Sequence, residues 1–228
     1  MKRLFFLFAT LGLTSAALAT VETYKIDPVH SSVGFSVRHI FSNVPGTFTK
    51  IGGSIAVDRD DLTKSTVETT INIASIATNN DKRDTHLRSD AFFDADKFPT
   101  ATFKSTAWAK TGDNTFDVTG DLTIKGVTKS VVLHVSSLGF GPGMNGAQLS
   151  GWSATTTLNR NDFGITAFPK VLGDDVAITI NVEADLQKEA RNENSSPHRQ
   201  LTGVAPMGWG MHGFGPNLCL RGSGCHSR

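Results

Sequence analysis

The chain has 228 residues, with 22 lysines and arginines against 21 aspartates and glutamates and a formal net charge of +1. That balance is no footprint for nucleic acid or for an anionic membrane surface. Both cysteines, Cys219 and Cys225, lie at the extreme C-terminus, so the chain before them has to fold on an ordinary core, and this length supports one such domain.

Residues 1–19 read as a signal peptide. Lys2 and Arg3 form a basic start, Leu4 to Leu13 an apolar run and Ala17-Leu18-Ala19 a small-residue cleavage site. The run falls short of the roughly 20 apolar residues of a spanning helix, so cleavage is predicted rather than stable membrane insertion. Losing Lys2 and Arg3 takes the formal charge from +1 to −1. The mature chain is predicted to start at Thr20, in a bacterial periplasm or secreted.

From about Tyr24 to Leu186 the signal is alternation with period two in short segments, the pattern of half-buried strands. Val33, Phe35 and Val37 alternate with Gly34, Ser36 and Arg38. Val67, Thr69, Ile71 and Ile73 do so with Glu68, Thr70 and Asn72. Further strands are predicted at Ser54 to Val57, Ala101 to Trp108, Phe116 to Ile124, Val131 to Val135 and Trp152 to Leu158, with a last at Val176 to Val182. Turn residues separate them at Asp58 to Asp61, Thr111 to Asn114, Lys125-Gly126, Gly139 to Gly146 and Gly173 to Asp175. Short turns between consecutive strands imply an up-and-down antiparallel sheet. About eight strands avoid exposed edges by closing into a barrel, whose interior either fills with side chains or holds one small ligand. The fold class is therefore all-β, a closed antiparallel barrel.

One insertion interrupts the strands. Asn79-Asn80 can cap a short helix over Asp81 to Arg88, with Asp81 and Asp84 in the first turn and an Asp84 to Arg88 pair at i, i+4. Phe92, Phe93 and Phe98 follow, so the segment is predicted to pack on the barrel or its mouth. After Leu186 alternation stops, and residues 187–228 read as a disordered extension rich in Gly, Pro, Ser and Asn. The domain reading is thus 1–19 signal peptide, 20–186 barrel and 187–228 extension.

Enzyme motifs find little support. His30, His39, His86 and His134 are far apart and lack the i, i+4 spacing of a helical zinc site. No Gly-x-Ser-x-Gly occurs, and the Gly-x-Gly-x-x-Gly at Gly141 to Gly146 lies between strands and opens no helix. Neither a metal, a cofactor nor a catalytic residue is assigned. His134 falls on the solvent parity of its strand, and His30 and His39 flank the first long strand. The apolar positions instead suit an elongated cavity, and its predicted lining is Phe35, Val37, Phe41, Phe48, Ile55, Phe93, Phe103, Leu122, Ile124, Trp152, Phe163 and Ile178.

Several segments together resemble the YceI-like family of periplasmic, lipocalin-like, polyisoprenoid-binding proteins. They are Tyr24-Lys25-Ile26-Asp27-Pro28-Val29-His30-Ser31-Ser32-Val33 with Phe35 and Val37-Arg38-His39, then Gly46-x-Phe48, then Arg83-Asp84-x-His86-Leu87-Arg88-Ser89 and Phe92-Phe93-Asp94. Phe98-Pro99, Gly120-x-Leu122-Thr123-Ile124-x-Gly126-Val127-Thr128 and Asn159-Arg160-x-Asp162-Phe163-Gly164-Ile165 complete the set. The resemblance implies a lipocalin-like barrel with a helix beside it, often a homodimer, around a pore for a long isoprenoid or similar amphiphilic lipid. It brings no catalytic residues. Polar side chains near a mouth would then orient a head group, with Arg38, His39, Arg83, His86 and Arg160 as candidates. The expected function is binding, sequestration or carriage of such a lipid, without chemistry. The rivals are a secreted lipid-directed hydrolase or metal-dependent enzyme, and a solid-core structural or stress-response barrel.

Overall fold

The computed structural model describes residues 21–144 and 146–188. The predicted cleavage site and the cysteines, like nearly all of the predicted extension, lie outside the described residues. Eleven strands form one antiparallel sheet: β1 (Val21–Ile26), β2 (Ser32–His39), β3 (Ser42–Phe48), β4 (Ile51–Asp58), β5 (Thr66–Asn72), β6 (Ile76–Ala77), β7 (Thr100–Lys110), β8 (Thr115–Ile124), β9 (Val127–Pro142), β10 (Gln148–Asn159) and β11 (Leu172–Leu186). Among the described residues there is one α-helix, α1 (Asp81–Arg88), between β6 and β7.

The ladder explains how these strands make a barrel of eight staves. β11 pairs with β2 through Asn181↔Ser32 to Leu172↔His39, and with β1 through Tyr24↔Leu186 to Ile26↔Ala184. β1 and β2 are thus two lengths of one bent stave. β3 and β4 form a second such stave, because β3 pairs with β2 and β4 with β1, and β5 with β6 form a third. β7 to β11 supply the other five, and the β1 to β11 pairing closes the ring. Closure leaves most ladder groups paired, which is how an all-β chain avoids exposed edges.

Local chemistry sets the corners. Lys125 and Gly126 both have positive φ, 51° and 76°, the requirement of a two-residue turn that matches strand twist, and they join β8 to β9. At Gly46 a side chain would collide with Phe35, which lies across from it and covers the backbone there. Alternation then fills the interior, where Tyr24, Ile26, Ile55, Val57, Phe103, Val118 and Trp152 are buried, while Lys104, Thr106 and Asp121 face solvent.

Three sequence readings change. Gly139 to Pro142 continue β9 instead of forming a turn, so the β9 to β10 connection is only 143–147. Gly173 to Asp175 lie within β11 as a register irregularity between Leu172 and Val176, and are not a connection. The helix is capped as predicted, with Asn80 Oδ1 accepting from the Arg83 amide at 3.0 Å. The Asp84 to Arg88 pair, however, does not form. Asp84 is buried and accepts from Thr78 N–H at 2.9 Å and from the Thr78 hydroxyl, which ties the helix to the end of β6.

Candidate functional site

β6 pairs with β3 but not with β7, so the sheet is open between β6 and β7 at that end. Helix α1 and the turns after it roof the gap, held by Phe93 N–H to Leu87 O at 3.1 Å and Ala95 N–H to Arg88 O at 2.9 Å. Leu87, Phe92 and Phe93 face inward from this roof. Beneath them is a cavity of about 590 Å³, walled by apolar side chains of β2, β3, β5, β7, β8, β10 and β11. It meets a smaller space of about 110 Å³ deeper in the barrel, and Val33, Ile71, Leu122 and Leu158 border both.

The deep end is sealed by rings. Trp108 packs on Phe116 and Trp152, and Trp152 on Phe140, which meets Tyr24, all with centroids 5.5–5.9 Å apart. Arg59 closes the stack outside, its guanidinium carbon 3.9 Å from the Phe140 centroid. At the other end the lining residues His39, His86 and Phe168 are exposed, which marks the mouth. Phe168 stacks on Phe92 and meets His86 edge to face.

The structure sorts the predicted residues. Phe35, Val37, Phe48, Phe93, Leu122, Ile124, Phe163 and Ile178 border the larger cavity, and Ile55, Phe103 and Trp152 the deeper one, where Leu122 recurs. Phe41 does not belong with them: it is fully exposed in the turn between β2 and β3, beyond the point where strand parity applies. Of the head-group candidates, His39, Arg83, His86 and Arg160 reach the cavity wall. Arg38 does not, because its odd-numbered neighbours Val37 and His39 take the inward parity. It is exposed and donates to Ile40 O at 2.9 Å.

Arg160 has another occupation. It is buried and donates to Gly173 O (2.9 Å), Ile165 O (2.6 Å), Ala167 O (2.8 Å) and Asp174 Oδ1 (3.1 Å), so it clamps the 164–171 loop to β11. Arg83 is fixed from one side, donating through Nε and Nη2 to the hydroxyl and carbonyl of Thr78, both at 2.6 Å. Among the described residues it forms no ion pair. A guanidinium fixed at the edge of an apolar cavity suits an acidic or strongly hydrogen-bonding group. The predicted lining omits Ile165, Phe168 and Val171, which border the cavity from an irregular loop without periodicity, and Leu172, at the start of β11.

One cluster elsewhere has donors suited to a metal. Asp27, His30 and Glu183 converge at the bend between β1 and β2, where His30 Nδ1 is 2.5 Å from Asp27 Oδ2 and 3.8 Å from Glu183 Oε1. The hydrogen bond with Asp27 raises the His30 pKa above its ordinary value and holds that of Asp27 below its own. His134 is exposed and bonds Asp117 at 2.7 Å.

Comparison with known proteins places this architecture. The model of the YceI-like domain matches residues 24–184. Protein YceI of Salmonella agona is 38% identical over 186 residues, covering 80% of this chain and 96% of that protein. Among solved structures, Burkholderia cenocepacia BcnA superimposes with a TM-score of 0.65 at 24% identity, over 70% of this chain and 99% of that one. A polyisoprenoid-binding domain from Saccharophagus degradans, implicated in plant cell wall breakdown, superimposes with a TM-score of 0.58 at 14% identity, over 72% of this chain and 98% of that one. Both share the barrel fold.

Proposed function

The chain belongs to the YceI-like domain family, and from that premise we propose that it binds a long-chain isoprenoid or similar amphiphilic lipid inside the barrel, in the periplasm, and performs no chemistry on it. The observation that carries this reading is the cavity: about 590 Å³, within the range of roughly 300–1,000 Å³ typical of small-molecule sites. A close-packed core leaves few voids larger than a water molecule. The lining is almost wholly apolar and continues into the deeper space, which suits a flexible hydrocarbon chain.

Affinity then comes from the chain. Each methylene moved from water to this wall contributes about 0.8 kcal/mol, so ten supply about 8 kcal/mol before association costs are subtracted. Arg83, with His39 and His86 beside it, orients the polar head at the mouth. The neighbour described as polyisoprenoid-binding shares the fold and so supports the ligand class. The apolar interior and polar outer faces reverse the order found in membrane-spanning barrels. Among the described residues no helix is long and apolar enough to cross a membrane. The basic, apolar and small-residue run of residues 1–19 supports export.

The test is organic extraction of the purified protein followed by mass spectrometry. A lipid with a long prenyl or acyl chain in near-stoichiometric amount is expected. Extracts free of such a molecule, together with failure to take up added polyprenyl phosphate, would refute the proposal.

A further inference from the structure

We infer that the rim of the cavity mouth is a docking surface for an anionic lipid bilayer, on which the barrel sits to load or release its ligand. Two rim segments carry the observation. The turn between β2 and β3 consists of Ile40 and Phe41, 45% and 100% exposed, and the 164–171 loop presents Phe168, 50% exposed. Ile40 N–H donates to Val171 O at 2.9 Å, so the two segments form one edge. Phe168 also lines the cavity. The exposed apolar edge is therefore continuous with the apolar interior.

Neither segment follows the chemistry of a solvent-facing turn. Ile40, in the two-residue turn, has φ 50° and Phe168, in the loop, φ 53°, both in the left-handed region that bulky side chains rarely adopt and that favours Gly, Asn or Asp. Bulky apolar residues hold strained positions there while facing water, a combination expected where function outweighs local stability.

Charge favours a bilayer as the occupant. Residues 38–44 contain Arg38 and no acid, and residues 164–171 contain Lys170 and no acid. Arg83 adds a cation at the mouth without an ion-pair partner among the described residues. Asp90, Asp94 and Asp96 lie in the turns after α1 that roof the same cavity, so the cationic edge is confined to the turn between β2 and β3 and the 164–171 loop. Aromatic wedges flanked by cations suit an anionic interface. A ligand leaving such a docked mouth need not cross water.

This inference rests on the cavity being the lipid site, so the experiment separates the two. The purified protein is co-floated with vesicles of neutral phosphatidylcholine and of phosphatidylcholine containing phosphatidylglycerol, and its bound lipid is measured in parallel. Wild type is expected to float with the anionic vesicles and to release from them in high salt. Phe41→Ser is expected to lower vesicle partitioning about tenfold or more, and Arg38→Glu with Lys170→Glu to lower it further. None of Phe41, Arg38 and Lys170 borders the cavity, so bound lipid should stay at the wild-type level in both variants. Vesicle binding that is absent in wild type, or unchanged in these variants, overturns the inference while leaving the cavity proposal standing. So does a wild-type dimer that Phe41→Ser splits into monomers, since a second copy would then be the occupant.

Discussion

Trp108 and Trp152 meet edge to face, with centroids 5.8 Å apart, and their N–H groups have opposite fates. Trp152 Nε1 donates to the Ser150 hydroxyl at 3.1 Å, whereas Trp108 Nε1 is buried without a partner among the described residues. Ser150 is fully buried, so removing its donor leaves a stranded hydroxyl, a loss of about 1–3 kcal/mol. Trp→Phe removes similar area at both sites. We expect Trp152→Phe to lose about 1–3 kcal/mol more than Trp108→Phe in urea unfolding. Equal losses would show that the two indoles are equally satisfied.

Arg160 should behave as a structural clamp. Its guanidinium serves three backbone carbonyls of the mouth loop and of β11, and hydrogen bonds from charged groups contribute about 1.5–3 kcal/mol each. Arg160→Leu is expected to cost about 3–5 kcal/mol and to speed amide exchange across residues 164–173. Asp174→Asn, at the exposed end of the same cluster, should cost under about 1 kcal/mol. An Arg160→Leu variant with a wild-type melt and reduced lipid content would instead make it a head-group residue.

The pair of Asp27 and His30 has a pH window with two edges. His30 has a raised pKa in the folded protein, so its contribution is complete below its unfolded value and is lost as pH rises through the folded one. Asp27 has a lowered pKa, so its contribution is present above its unfolded value and is lost as pH falls through the folded one. Both are charged between the low Asp27 value and the high His30 value. Histidine NMR titration should show His30 above its ordinary value in wild type and a fall toward it in Asp27→Asn. An unchanged His30 titration in the variant would assign the shift to Glu183 and Asp185.

Legibility in the sequence followed periodicity. Val33, Phe35 and Val37 point inward in β2, and Ile178 and Ile180 in β11, because strand parity alone decides which face a residue takes. Phe41 shares that parity by number but sits in a turn, where parity ends. Phe168 and Val171 lie in a loop held in place by Arg160, so their approach to the cavity is a tertiary result. Asp84 matched the spacing of a helix-surface pair with Arg88, yet the hydroxyl and amide of Thr78 at the end of β6 capture it instead. Glycine misled twice, since it marks turns and strand irregularities alike: Gly139, with φ 134°, and Gly173 both lie inside strands.

The most direct test of the lipid cavity is bound lipid per protein in Ile178→Trp, measured by extraction beside its melting temperature. Ile178 pairs with Phe35 across β11 and β2 and borders the larger cavity. An indole there should occupy ligand space at little cost, whereas in a close-packed interior it would cost about 1–3 kcal/mol. Val37→Trp, nearer the mouth, provides the same reading at a second position. The expected result is a melt near that of wild type with bound lipid reduced at least severalfold. A badly destabilised Ile178→Trp, with no extractable lipid in the wild type, would contradict the account.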